Sequence, residues 1–404
     1  MNEQRLRDLL RETPVPGAED AERHGRAMLE SAFADRQPDR RRPAPRRLAL
    51  ALAGATLLLA VILSPAGAAV RDWIDDALTV GVRDAEPALT EIPGGGRLLV
   101  TSPQGAWAVQ ADGSRRLLGA YEEATWSPRG LFAVAASGRT LSAIEPDGTV
   151  RWSISATASV ADPRWSPSGF RIAYRAGRTL RVVGGDGSGD RPLARGIAAV
   201  AAAWVPGGPH VLAYADADGE VVVRNADTGE ILGSTEASAA ARAVTWAPDG
   251  SSLLVATRDA LLVHDVGTSK LVGRLALGAP RRLPLPPAST VAGASFSPGG
   301  ETIAALLSRP GDGARPARSE LVLIDPAGGG TRGLFRAPGP LAGFAWSPNS
   351  ERLLLPWPAA DQWLFIPADG RGRVRAIGGI SAEFSPGMEP DMAVFPRLEG
   401  WCCP

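Results

Sequence analysis

From about residue 95 onward the apolar residues fall into short runs separated by clusters of Gly, Pro, Asp and Asn. Runs near six residues rich in Val, Ile, Leu and Ala, bounded by turn formers, predict β-strands rather than helices. Seven of the runs end alike: "ATWSPRG", "PRWSPSG", "AAWVPGG", "VTWAPDG", "ASFSPGG", "FAWSPNS" and "AEFSPGM". Their aromatic residues are Trp126, Trp165, Trp204, Trp246, Phe296, Trp346 and Phe384, spaced by 39, 39, 42, 50, 50 and 38 residues. Pro presets the turn dihedral and Gly tolerates positive φ, so each marker is a strand running into a tight turn.

After each of the first six markers a second strand follows, such as "RIAYRAG" or "SLLVATR". A third ends in an Asp/Gly-rich hairpin, such as "TLSAIEPDG" or "EVVVRNADTG", and a short fourth closes the unit. Four antiparallel strands every 40 or so residues predict the blades of an all-β propeller. Residues 95–120 carry strands of the second, third and fourth kinds but lack the aromatic first strand, while 380–386 carry a first strand with no blade after it. Joined, the two ends make one blade, hide two sheet edges and raise the count from six to seven. A six-bladed ring is the alternative if the unit at Trp204 or Phe296 is misread. The closure predicts that Phe384 packs beside Leu98, Leu99 and Val100, with residues 387–404 left as a C-terminal tail.

The blade pattern, closest in "RWSPSGFRIAYRAGRTLRVVGGDGSG", resembles the WD-repeat-like propellers of the TolB type over residues 95–386, about 72% of the chain. With the N-terminal features below, the chain also resembles membrane-anchored propeller proteins of high-GC actinobacteria. The resemblance implies a binding or scaffold module, with a sigma factor as a partner for the cytoplasmic end. A zinc-type anti-sigma signature, which needs both His and Cys ligands, is absent from that end, where His24 stands without a Cys.

Residues 48–70, "LALALAGATLLLAVILSPAGAAV", contain 23 positions without a charge. About 20 apolar residues in helical form cross a bilayer core. The preceding "DRRRPAPRR" holds five arginines, which places the N-terminus in the cytoplasm and everything after Val70 outside. The expected organisation is a cytoplasmic segment at 1–46, a transmembrane helix at 47–70, a linker at 71–94 and the propeller at 95–386. A cleaved signal peptide is the competing reading, with "AGA" at 66–68 as its site, but 47 residues before the apolar run exceed an ordinary signal peptide. The cytoplasmic segment reads as two helices broken at Pro14–Gly17, too short to bury a core alone, so it docks on a partner or stays loosely ordered.

Composition narrows the function. Lys+Arg and Asp+Glu both number 43, which removes the basic excess expected of a nucleic-acid binder. The histidines are His24, His210 and His264; His24 has no second His or Cys near it, His264 sits at the end of a third-type strand, and no metal site is expected. No G-x-S-x-G occurs, and the Gly-rich "GGDGSGD" precedes no helix, so no catalytic residue and no cofactor is expected either. The competing function class is an envelope enzyme acting on glycans or peptides through the channel.

Two candidate features remain. Long loops at 278–290 and 308–320 are expected on one face of the ring, bringing together Arg281, Arg282, Arg309, Arg315 and Arg318 with Asp312. Such a patch suits an acidic protein partner or an anionic envelope ligand. The second is Cys402–Cys403, adjacent and nearly terminal. Neighbouring Cα atoms lie about 3.8 Å apart, below the usual disulfide range of about 4.4–6.8 Å. Free thiols, an intermolecular bridge and a vicinal disulfide are the three states open to them, and the tail is expected to pack under the ring.

Overall fold

The computed structural model describes residues 85–403 except 87, 209, 237–238, 269–274, 312–316, 329 and 390–391. The predicted transmembrane segment at 48–70 and the cytoplasmic helices lie outside these residues. Among the described residues no helix is long and apolar enough to cross a membrane.

Seven antiparallel sheets follow one another, each built around four strands. Blade 2 shows the plan: Glu123–Trp126, Ala133–Ser137, Thr140–Ile144 and Val150–Ser155, each hydrogen-bonded to the next. Blades 3 to 7 begin with the strands that end on Trp165, Trp204, Trp246, Phe296 and Trp346. All six aromatic markers before Phe384 thus end the first strand of a blade, and the seven-bladed expectation holds over the six-bladed one.

The marker turn has a local cause. Ser127, Ser166, Ser297 and Ser347 are buried, and each hydroxyl accepts the backbone N–H five residues on. A buried hydroxyl that satisfies a turn amide offsets its own desolvation, which fits Ser at that position. Blades then stack through apolar faces. Leu254, Ala256, Leu261 and Val263 of blade 5 pack against Ile303, Ala305, Leu307 and Val322 of blade 6, all essentially buried. Each large side chain so buried stabilises the stack by about 1.5–3 kcal/mol.

Closure of the ring departs from the expectation in one strand. Residues Ile380–Glu383 form a single helical turn, not a strand. The missing first strand of blade 1 is Arg397–Cys402, paired antiparallel with Arg97–Ser102, which leads on to Gly105–Val109 and Arg115–Gly119. The stretch 387–404 therefore includes the closing strand and is not merely a tail. Trp401 sits opposite Leu98 as Trp126 sits opposite Ala133 and Trp246 opposite Leu253, so Trp401 holds the seventh marker position. Phe384 is fully buried and shares a core with Leu98 and Val100, as expected, but through its side chain alone. Its ring meets Trp107 at 5.8 Å and Trp363 at 5.3 Å between centroids.

The end of the predicted linker joins the ring. Glu86 bridges to Ile377, Leu89 and Ile92 are buried, and Arg375 binds the Glu86 carboxylate in a forked pair at 2.6 and 2.7 Å. That pair draws the Glu86 carboxyl below its ordinary range.

Candidate functional site

In each blade the turns between the second and third strands lie on one face, with the connections to the next blade. The 278–290 and 308–320 segments meet this rule, because Thr290 pairs with Ser308 and Ser308 with Ser319. The outermost strand of blade 5 is interrupted: Leu275–Leu277 pairs with Val266–Thr268, and Arg281–Arg282 pairs further along with Leu262–Val263. After the break, Leu283–Ser289 with Arg282 and Asp259 lines an open cleft of about 520 Å³. Pro284 and Pro287 are exposed, and Ala288 holds φ of 55°, a left-handed conformation costly for a residue with a Cβ.

The six residues expected to converge do not all do so. The Arg282 side chain is 63% exposed and stands 3.8 Å from the Asp259 carboxylate, itself 69% exposed. Arg281 points the other way: its guanidinium donates to the Pro326 carbonyl at 2.5 Å, in the turn between the third and fourth strands of blade 6. Arg309 and Arg318 are opposite each other across two strands of that blade. Arg309 lies 3.0 Å from Glu320 Oε2, off the hydrogen-bond direction, so the contact is one of charge. Arg336 donates to the other Glu320 oxygen at 2.9 Å, leaving that carboxylate buried between two guanidinium groups. Asp312 and Arg315 lie outside the described residues. Arg282 is thus the exposed member, whereas Arg281 and Arg309 tie loops and strands together.

Cys402 and Cys403 are joined to each other, which selects the vicinal disulfide among the three states. The pair follows Trp401 where the other six blades carry Ser-Pro, Val-Pro or Ala-Pro, and Cys403 has φ of 53°. Arg97, opposite Cys402, lays its guanidinium over the Trp126 ring at 5.2 Å. Arg97 Nη2 and Cys403 Sγ both crowd Gly130, each 2.5 Å from where a Cβ there would sit.

On the opposite face from the 520 Å³ cleft, blades 3 and 4 assemble a group that the sequence pattern does not announce. Ser168, in the "WSPSG" turn of blade 3, has its hydroxyl 3.0 Å from His210 Nε2 in blade 4. His210 Nδ1 is 2.6 Å from Asp227 Oδ2, in the turn between the third and fourth strands of blade 4. The Trp204 ring meets the imidazole edge-on at 6.4 Å. Arg171 donates from Nε to Asp227 Oδ1 at 2.8 Å. Burial raises the Asp227 pKa, but the hydrogen bonds from His210 and Arg171 outweigh it and leave the carboxyl below its ordinary range. A cleft of about 550 Å³ shares Arg171 and Asp227 with this group and adds Arg191, Gly184, Ser188 and Gly189.

A third cleft, about 530 Å³, opens between the first strands of blades 3, 4 and 5, lined by Ala199–Trp204, Ala243–Trp246 and Asp162. Asp162 is its one carboxylate and is held by Arg175 at 2.9 Å, so this cleft does not offer the two free carboxylates of glycoside hydrolysis. His264, the remaining described histidine, is buried and engages the Gly278 carbonyl at 3.0 Å, a structural role. Among the described residues no cluster of three or more His, Cys, Asp or Glu could hold a metal ion.

No family model matches the sequence. No curated protein matches it either. Among solved structures it is similar to the β-propeller domain of Cps50 (Swd1) from Myceliophteria thermophila, with 16% identity and a TM-score of 0.52 over 67% of this chain and 93% of that one. It is similar also to a candidate 6-phosphogluconolactonase from Bacteroides uniformis, with 15% identity and a TM-score of 0.51 over 70% and 95%. At such identities the likeness concerns fold alone. The chain has the fold of the seven-bladed β-propellers.

Proposed function

We propose that the chain is a single-pass membrane protein, N-terminus inside, whose extracytoplasmic propeller binds a protein partner through the face formed by blades 5 and 6. The anchor rests on the uncharged 48–70 run and the arginines before it. One observation carries the binding face: the broken outer strand of blade 5 and the cleft of about 520 Å³ built by Leu283–Ser289. Prolines there fix the backbone before a partner arrives, so little conformational entropy is lost on docking. The exposed Arg282 beside apolar Leu285 and the prolines suits a segment that presents a carboxylate next to apolar side chains. A sigma-factor partner for the cytoplasmic segment rests on the family resemblance and awaits its own test.

A photo-crosslinking residue at Pro287 of the full chain, in cells, tests the reading. One membrane-fraction protein is expected to crosslink, and Arg282→Glu should remove that product while the chain stays in the membrane fraction. A product of equal yield in the Arg282→Glu chain overturns the site; a chain found in the soluble fraction overturns the anchor.

A further inference from the structure

Ser168, His210 and Asp227 come from two blades and three separate turns. The distances place the heavy atoms and chemistry supplies the protons: an ionised Asp227 accepts from Nδ1–H, and in the neutral imidazole that leaves the Nε2 lone pair to accept from the Ser168 hydroxyl. That is the tautomer and polarity of a serine nucleophile beside its general base. The Ser168 oxygen also accepts from Phe170 N–H at 3.2 Å, which fixes its rotamer. Ser166 Oγ lies 3.0 Å from it. Among the described residues no acceptor meets the Ser168 backbone N–H, which leaves a donor on the nucleophile itself for a developing oxyanion.

Turn stability does not require the imidazole. Asp249 and Asn349 occupy the same place in the turns of blades 5 and 7 and accept the N–H two residues on by themselves. Ser168 performs that service through Phe170 and, in addition, meets a histidine already oriented by a carboxylate. The neighbouring cleft presents Arg171 and Arg191, two guanidinium groups suited to an anionic part of a substrate.

We propose that Ser168, His210 and Asp227 form an acyl-transfer site that hydrolyses esters bearing an anionic group. Ser168 Oγ forms a bond to the acyl carbon as His210 Nε2 takes its proton. Asp227 acts as the positioning residue, holding Nδ1–H and the imidazolium that results. The ester C–O bond then breaks, and the leaving alkoxide receives the proton from His210. Water, deprotonated by His210, attacks the acyl-serine; the acid leaves and Ser168 regains its proton. The balance is ester plus water to acid plus alcohol, with no other reactant.

The test is a fluorophosphonate probe on the detergent-solubilised full chain, with mass spectrometry of the labelled peptide. Oxygen bonds to phosphorus, fluoride leaves, and the serine proton passes to His210. Labelling is expected at Ser168, absent in Ser168→Asn (which keeps the turn cap as Asn349 does), and slowed about 100-fold or more in His210→Asn. Asp227→Asn should slow labelling and change its pH profile, with the His210 ring nitrogens in ¹⁵N NMR reporting the other tautomer; loss of a purely structural tie would leave the labelling rate where it was. Hydrolysis of 4-nitrophenyl succinate should follow the same order. Labelling at Ser168 no faster than at scattered surface serines, or unchanged in a folded His210→Asn chain, overturns the proposal and leaves an inter-blade tie.

Discussion

Replacing Trp401 with Ala removes the aromatic that closes the ring. Trp401 is 9% exposed, packs edge-on against Phe365 at 5.7 Å and donates its indole N–H to the Gly95 carbonyl at 2.8 Å. Truncating a buried Trp to Ala costs about 3–5 kcal/mol, through lost transfer energy and the cavity left behind. An unfolding entropy of about 2.1 cal/mol/K per residue over roughly 300 ordered residues gives about 0.6 kcal/mol/K, so the melting temperature should fall by about 5–8 °C. Calorimetry of the solubilised full chain reads the fall, and hydrogen exchange reads its location, since the backbone of Arg97–Thr101 pairs with Arg397–Cys402. Phe384→Ala supplies the contrast: Phe384 is buried too, but its cost should come without loss of protection at Arg97–Thr101, because it contributes no strand pairing. A Trp401→Ala chain that melts within about 1 °C of the parent with those amides still protected would refute the closure described here.

Arg309→Ala should lower stability by about 2–3 kcal/mol in urea titration, less than the 3–5 kcal/mol of a fully broken buried pair, because Arg336 still holds Glu320; its crosslinking through Pro287 should be unchanged. Non-reducing electrophoresis should show a monomer, and the C-terminal peptide should gain about 2 Da on reduction, as a bond between Cys402 and Cys403 requires. Glu399 has its carboxyl raised above the ordinary carboxylate range, chiefly by burial, against the hydrogen bond from Thr101 and the charge of Arg397. A raised folded-state pKa stabilises the fold below the unfolded pKa and loses that contribution as pH rises through the folded one. Glu399→Gln should therefore gain stability relative to the parent as pH climbs from about 4 toward 7, and a difference that is flat or falls over that window would contradict the burial of this carboxylate.

Local chemistry made most of the ring legible. An aromatic, a buried Ser or small residue, Pro and Gly together dictate a strand and its turn, so Trp126 through Trp346 mark six first strands correctly. The error at Phe384 has the same source. "FSPG" carries the turn chemistry, yet the residues before it, Ile380–Glu383, form one helical turn and not a strand, while the pairing edge of blade 1 goes to "RLEGWC", followed by a second cysteine in place of the turn. Edge pairing is a long-range choice, settled by which segment can place Trp401 opposite Leu98, and no short window contains that information. The arginine loops were legible only in part. Loop position predicted the shared face, but side-chain direction alternates along a strand, so adjacent Arg281 and Arg282 serve opposite faces.

The relay of Ser168, His210 and Asp227 was hidden for a reason built into repeats. Hydrolase motifs place the nucleophile within a short stretch of characteristic spacing, whereas a propeller stacks blades so that residues about 40 positions apart become neighbours. Counted from its own marker aromatic, Ser168 is the third residue and His210 the sixth, ordinary positions of successive repeats. In blade 5 those positions hold Asp249 and Ser252, and in blade 7 Asn349 and Arg352, which serve the turns and strand starts. A scaffold whose turns are already satisfied by such caps can vary these positions at small cost to stability, and a reactive constellation can arise at one junction while six others stay structural. The sequence signal is therefore a column, not a motif: a hydroxyl at the third position of one repeat, an imidazole at the sixth of the next, and a carboxylate in that next repeat's final hairpin.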